Sequence, residues 1–469
     1  MFHRPTTKRP TTIVPSRQRL PVVEVRQADF ANGTYRIQTA GRYVFQENVV
    51  FDPAGAPENA EGGFRLGFFA AISIETTNVV LDLNGKRLSQ GPGHYLRQRF
   101  FSLIELANSP FVPKQGPANF GTDFHPASNV EIRNGVLGTS SHHGIHGNNN
   151  TNVRINDLCI EDFEIGGIAL NGCENVWIER CRVGPSKTNV PVNAKFSQAV
   201  FSLPLLANPT LQNLVDTTKA GTIAELFANS SGVSDGTVVG VQIHAKGVAV
   251  GPLQEYWDRG AVRNVHLKDL YVCGLKSNVN EVVGFAMPGA AGPSAYTPAN
   301  VMAGAFGAML GEEPDVLRTH LVNVWKVKGI GKMTQSVADA ILANLPIDSP
   351  RVHGLDSMAH TIKHTCGVFL SGVDQGSVVD VTIDGVEDTG AAQACGVVVA
   401  TAKNVRVANV RIEGIVGAES VGIKAVGDID ALVSENVIVR TVGVPIVGRV
   451  QQKATAPRVA QIQPSSALT

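Results

Sequence analysis

NVEIRNGVL (129–137), NVRINDLCI (152–160) and NVWIERCRV (175–183) are three copies of one pattern, with starts 23 residues apart both times. Each reads Asn, Val, variable, Ile, two polar positions, a small or apolar residue, variable, aliphatic. Eight residues ahead of Asn152 and Asn175 stand Gly144-Ile145 and Gly167-Ile168. A fixed period of this size marks units that stack on their neighbours.

The interior of the repeat says what the unit is. Val153 and Ile155 alternate with Asn152, Arg154 and Asn156, and Leu158 and Ile160 resume the alternation after a short corner. That is strand periodicity with one buried face. Three short strands per repeat can bury their aliphatic faces only by coiling round a common axis. The asparagines then stack at a corner, amide on amide, where they also turn the backbone. This is the logic of a right-handed parallel β-helix. In a leucine-rich repeat the Asn follows the strand instead of preceding it, and a left-handed coil needs six-residue periods that this chain lacks.

The unit recurs as NVHLKDLYV at Asn264, DVTIDGVED at Asp380, NVRVANVRI at Asn404 and NVIVRTVGV at Asn436. Glycine-led partner strands recur as GVAV at Gly247, GVFL at Gly367, GVVV at Gly396 and GIKAV at Gly422. Together with NVVLDLNGKRL from Asn78 and GTYRIQTAGRYVFQENVVF from Gly33, these rungs resemble the right-handed parallel β-helix (pectate-lyase-like) superfamily, over roughly residues 33–448. The resemblance implies an all-β, single-stranded right-handed parallel β-helix solenoid. It implies no single activity, because the superfamily holds lyases, hydrolases, epimerases and viral tailspikes.

Composition agrees with one elongated domain. The 469 residues balance 40 Lys and Arg against 40 Asp and Glu, which makes no case for a nucleic-acid partner. No apolar run has the length of a membrane span. Residues 1–21 are basic and proline-bearing without an apolar core, which reads as a disordered arm and not a secretory signal. Cytoplasmic synthesis, with a final place on a virion or particle surface, is the corresponding expectation. The six cysteines form no CxxC pair and read as free thiols, Cys181 inward and Cys159 outward, with a Cys159–Cys173 or Cys173–Cys181 bridge left open.

The expected layout is an N-terminal cap and coils over 22–196, a helical insert over 197–236, coils over 237–286, a second helical insert over 287–360, coils over 361–450, and a flexible tail over 451–469. The helical expectation rests on Asn208-Pro209 as a cap followed by Leu211, Leu214 and Val215, and on Pro314 followed by Val316, Leu317, Leu321 and Val324.

SSHHGIHGNNN (140–150) is the main candidate for chemistry. His143 and His146, with Asp123 and His125 from the loop before them, are the candidate catalytic residues, since clustered imidazoles bind metals or move protons near neutral pH. The alternative is that the histidines merely cap a corner. His-Gly here resembles the GHG motif of polygalacturonases, but the paired aspartates and the RIK motif of that family are missing. Asp157, Glu161, Asp162 and Glu164 form an acidic edge, with Arg154, Arg180 and Arg182 beside it. Pectate lyases hold Ca2+ on clustered acids and use an Arg or Lys as base, so the resemblance implies a Ca2+ site on the acids and substrate binding by the arginines; the plain reading is a solvent-facing charge ladder. His353, His360, His364 and Cys366 form a looser set that reads as structural. No phosphate-cradling loop, GxSxG elbow or GxGxxG fingerprint occurs.

Two function classes follow. The first is a non-catalytic or weakly active scaffold or surface protein, virion-associated, glycan-recognising, and assembled as a homotrimer or into a larger particle. The second is a polysaccharide-active lyase, glycoside hydrolase or epimerase. The absent catalytic signatures, free thiols and basic arm favour the first, and the histidine-rich stretch favours the second.

Overall fold

The computed structural model describes residues 20–53, 69–91, 101–108, 125–163, 165–186, 215–216, 239–244, 262–277, 351–352, 364–388, 393–417, 419–440 and 442–452. The described residues are nearly all strand, with one short 3-10 turn, Gln27–Phe30, and no α-helix. Each of the three clean repeats supplies one strand to each of three parallel sheets.

The first sheet stacks 22–25, 41–45, 77–82, 128–133, 151–156, 174–179, 262–268, 373–379, 403–408 and 432–435 in sequence order. The second begins at 49–51 and 87–90 and passes through 136–138, 158–163, 182–183, 271–277, 382–388 and 411–416. The third holds Tyr35–Ile37, Ala70–Ile74, Ser102–Glu105, His143–Asn148, Gly166–Asn171, Val239–His244, His364–Ser371, 393–400, Ser420–Ile429 and Val444–Val447. Val153 pairs with Val130 on one side and Val176 on the other, so the 23-residue period is the register.

The hand of the coil follows from residue chirality. Inward-facing Val25, Ile160 and Ile412 give their carbonyls to the next coil, to the amides of Gln46, Gly184 and Arg440. A viewer facing the side chain of an extended L-residue, chain running upward, sees its carbonyl on the right. From the axis, each coil therefore passes to the next on its right, and the ascent is right-handed.

Corners explain the asparagines. Asn78, Asn129, Asn152, Asn175 and Asn264 all take φ between 52° and 61°, where Asn is among the few residues at ease. Their amides form a ladder: Asn152 donates to Asn129 at 2.7 Å, Asn175 to Asn152 at 2.9 Å and Asn264 to Asn175 at 2.7 Å. Two repeat copies turn out to be shifted in phase. Asp380 and Asn436 lie at the next corner, between the first and second sheets, level with Asn409, which donates to Asp380 at 3.0 Å and accepts from Asn436 at 2.8 Å. Both corners need a polar residue at positive φ followed by an aliphatic strand, so one motif serves both.

The recurring glycines have a different cause. A Cβ on Gly144, Gly167, Gly240 or Gly396 would lie 2.6–2.7 Å from the carbonyl oxygen of the glycine one coil on. Adjacent coils approach too closely there for any side chain.

Inside the coil runs one aliphatic core, including Val153, Ile155, Ile160, Ile168 and Leu170, each fully buried. Each such side chain contributes about 1.5–3 kcal/mol. At the N-terminal end the core is closed by Phe30 of the 3-10 turn, whose ring lies 6.4 Å from that of Phe45 and 6.3 Å from that of Phe51.

The expected helical inserts at 197–236 and 287–360 are not supported. Their described residues are two short strands, Val215–Asp216 and Arg351–Val352, which pair antiparallel with each other; the stretches read as helices lie outside the described residues. Gln451–Gln452, expected in the tail, pairs with Val433 and Ser434 in the first sheet; residues 453–469 lie outside the described residues. No described helix is long and apolar enough to cross a membrane. All six cysteines are free thiols, with Cys181 buried and Cys159 half-exposed in register with Arg182.

Candidate active site on the third sheet

Along the third sheet some side chains point into the core and others point out. Ile72, Ile104, Ile145 and Ile168 are in register and inward. Ser73, Glu105, His146, Ala169 and Gln242 form one outward column, and Ser102, His143, Gly166 and Val239 another. This outer face is itself buried: Ala70–Ile74, Ser102–Glu105, His143–Asn148 and Gly166–Asn171 carry no exposed residue. Ala70–Ile74, Val239–His244 and His364–Ser371 of this sheet each follow a long stretch of sequence that lies mostly outside the described residues.

The structure brings His142, His143 and His146 together with an acid that the sequence reading passed over. Glu105 stands on the preceding coil in register with His146, and both its oxygens approach His146 Nδ1, at 2.9 and 2.8 Å. Ser102 Oγ donates to Glu105 Oε2 at 3.1 Å. On the other side, Asn171 Nδ2 lies 3.4 Å from His146 Nε2 and donates to Asn148 Oδ1 at 3.0 Å. The His143 ring stacks on that of His146, centroids 5.1 Å apart and planes 14° from parallel, and its Nδ1 lies 2.7 Å from Nδ1 of His142. Ser140 Oγ donates to the His143 carbonyl at 2.6 Å, which fixes the start of the strand.

Burial sets the electrostatics. His143 is 5% exposed and His146 2%. Desolvation, with the neighbouring imidazoles His142 and His146 adding to it, holds the His143 pKa well below the ordinary value. The cluster therefore contains one carboxylate bonded to one imidazole, and a second imidazole kept neutral. It can hold a defined tautomer and accept a proton.

The other expected site residues are dispersed. Asp123 and Glu164 lie outside the described residues. His125 is exposed, its backbone amide donating to Asn108 Oδ1 at 2.7 Å. Asp157 sits at the corner between the first and second sheets, clasped by Arg180 Nε and Nη2 at 2.6 and 2.8 Å, and Arg180 holds its pKa below the usual carboxylate range. Glu161 takes Arg87 at 2.9 Å and lies 3.7 Å from Arg182, while buried Asp162 accepts the Ser186 amide at 2.8 Å. Arg154 contacts Glu179 at 3.4 Å, and Arg182 donates to the Pro185 carbonyl at 2.9 Å. The acids and arginines thus tie coil to coil, and among the described residues no group of three or more His, Cys, Asp or Glu is arranged to hold a metal ion.

Glu105, Asn148 and Asn171 were legible only through register. Setting SLIE (102–105) against HGIH (143–146), Ile under Ile, puts Glu105 beside His146. Sequence period alone does not reveal it, because the two positions are 41 residues apart and the repeat is 23.

No family model matches the sequence, and no curated protein matches it. Solved structures do. An alginate lyase from Paenibacillus sp. str. FPU-7 is 8% identical, with 92% of this chain and 99% of that chain covered and a TM-score of 0.37. A 1,3-α-1,4-β-D-galactose-4-sulfate-3,6-anhydro-D-galactose-2-sulfate 4-galactohydrolase is 7% identical, with 95% and 86% covered and a TM-score of 0.38. The A-module of the Azotobacter vinelandii mannuronan C-5 epimerase AlgE4 is 9% identical, with 93% and 90% covered and a TM-score of 0.24. By its own strand register, the chain is a right-handed parallel β-helix. At these identities and scores the similarity transfers neither a residue role nor an activity.

Proposed function

We propose that this protein is a polysaccharide-active enzyme, built as one continuous solenoid domain between the 1–21 arm and the C-terminal tail, that moves a proton with Glu105 and His146. The observation that carries the reading is the approach of both Glu105 oxygens to His146 Nδ1. A carboxylate in that position fixes the Nδ1–H tautomer and leaves Nε2 as the proton acceptor. The Nε2 contact with Asn171, at 3.4 Å, is long enough to yield to a substrate. His143, held neutral by burial, stacks on His146 and presents a second uncharged imidazole beside the base.

Among the described residues of this face, the carboxylates favour one reaction class. Glu75, another buried acid on this face, is held by Arg36 Nε and Nη2 at 2.7 and 2.6 Å. Two-carboxylate hydrolysis needs a pair of available acids, whereas one imidazole base suffices to abstract the proton beside the carboxylate of a uronic-acid residue. Lyase or epimerase action on a polyuronate is therefore the preferred form. The Asp157, Glu161 and Asp162 edge, with Arg154, Arg180 and Arg182, acts here as structural ties; a Ca2+ ion on those acids would have to displace Arg180, Arg87 and Ser186.

A second reading, a glycan-recognising protein without turnover, is favoured by the near-complete burial of Glu105 and His146, since catalysis requires the outer face to open. Virion attachment and homotrimeric or particle assembly draw no support from the fold or the comparisons.

The test is product formation on a panel of neutral and uronate polysaccharides, followed by reducing ends and by ultraviolet absorbance of unsaturated uronates, with and without chelator. Absorbance that survives chelation and is lost in His146→Gln supports the proposal. Reducing ends without absorbance would move it to a hydrolase, and binding without product to the second reading.

A further inference from the structure

The outward columns of the third sheet change character along the coil. Beyond Gly166 and Ala169 the polar residues give way to Val239, Cys366, Phe369, Cys395, Val398 and Val421, a buried apolar cluster separate from the main core. Two of its six members are cysteines, and they are direct register partners: Cys366 pairs with Cys395 on the next coil, between the pairs Thr365–Ala394 and Val368–Val397. Both are 0% exposed and both are free thiols.

Register partners on adjacent parallel strands have Cα atoms about 4.7–4.9 Å apart, inside the Cα range of disulfides, and their Cβ atoms, about equally far apart, need only a small convergence to reach the roughly 3.5–4.5 Å of a bridge. Both side chains leave the sheet on the same face, into one cluster. No other pair among the six meets these conditions. Cys159 is level with Val136 and Arg182, Cys273 with Asp384, and Cys173 and Cys181 belong to the inner core. We propose that Cys366 and Cys395 are a latent cross-coil disulfide, closed when the protein equilibrates with an oxidising low-molecular-weight disulfide.

The chemistry balances with such an oxidant. One cysteine loses its proton to solvent, and its thiolate attacks a sulfur of glutathione disulfide, giving a mixed disulfide and one released glutathione thiolate. The second cysteine, likewise deprotonated, attacks the protein sulfur of the mixed disulfide and releases the second glutathione. Two protein thiols are oxidised by two electrons, and one glutathione disulfide is reduced to two thiols. Burial raises both thiol pKa values, Cys366 well above the ordinary value and Cys395 to about 12, so closure is slow and proceeds through local opening of the third sheet. The bridge would span 29 positions of sequence (395 − 366) and bind two coils of the sheet that carries Glu105 and His146. It does not depend on the proposed activity.

The full-length protein is brought to equilibrium in glutathione buffers of increasing disulfide fraction, acid-quenched, unfolded, alkylated and mapped by peptide mass. The expected result is one bridge, joining the peptides of Cys366 and Cys395, with the other four cysteines alkylated. In Cys395→Val, an apolar replacement suited to the cluster, Cys366 forms no bridge with any remaining cysteine. Six alkylated thiols across the whole range, or a bridge that includes any other cysteine, would overturn the proposal.

Discussion

Glu105 and His146 stand on successive coils of the third sheet, and both carboxylate oxygens of the one lie within 2.9 Å of Nδ1 of the other. The pair is positioned by two strands whose inward residues, Ile104 and Ile145, are fully buried. Its geometry therefore belongs to the scaffold and not to a mobile loop.

That relationship predicts how the two partners fail. Glu105→Gln keeps the shape but removes the charge that fixes the imidazole, so turnover falls by about 100- to 10,000-fold. Its thermal stability falls by only about 1–3 kcal/mol, the cost of a weakened buried contact. Steady-state kinetics and calorimetry on the same sample separate the two effects.

Stability should fall in mild acid because of His143. Its folded pKa is depressed by burial and by the neighbouring imidazoles, so it is a base kept neutral in the fold and free to protonate when unfolded. The contribution is complete above the unfolded value of about 6.5 and is lost as pH falls from there toward the folded pKa, at no more than about 1.4 kcal/mol per pH unit. Urea titrations between neutral pH and mild acid should show this slope for the wild type and a flatter one for His143→Asn.

The asparagine ladder should be costly to break. Asn152→Ala puts an alanine at φ 58° and removes both ladder bonds, to Asn129 and Asn175. A loss of about 2–4 kcal/mol is expected from backbone strain plus two hydrogen bonds. Asn152→Gly, which relieves the strain, should lose less; equal losses in chemical denaturation would mean the strain contributes nothing.

Gly240 offers a complementary test. An added Cβ would sit 2.6 Å from the Gly367 carbonyl oxygen and 2.7 Å from Val272 Cγ1. Gly240→Ala should therefore destabilise by about 1–3 kcal/mol through overpacking, although alanine is otherwise innocuous. Gly85→Ala meets nothing within 4 Å and is strained only through its φ of 70°, so it isolates the backbone effect.

The sequence made the coil legible wherever chemistry repeats at each turn. Asn129, Asn152 and Asn175 announce a corner because few residues tolerate positive φ, and Val153 and Ile155 announce a buried face because alternation is the geometry of a strand. Asp380 and Asn436 misled on phase, since the second corner demands the same residue type as the first. The site was legible by halves. His143 and His146 drew notice as neighbours in sequence, but Glu105 is their neighbour only through strand pairing, 41 positions away. Cys366 and Cys395 were hidden in the same way. The acid–arginine edge was noticed for its composition, and composition does not distinguish a ligand shell from the ion pairs Asp157–Arg180 and Glu161–Arg87.

The most direct test of the central claim is proton exchange at C5 of uronate residues. A polyuronate panel is incubated with the protein in D2O and followed by proton NMR, which detects lyase and epimerase action alike. Wild type should deplete the C5–H signal on at least one polymer, and His146→Gln, folded by circular dichroism, should not. Depletion that persists unchanged in His146→Gln, or a folded wild type that binds a polyuronate and leaves C5–H intact, would contradict the assignment of proton transfer to Glu105 and His146.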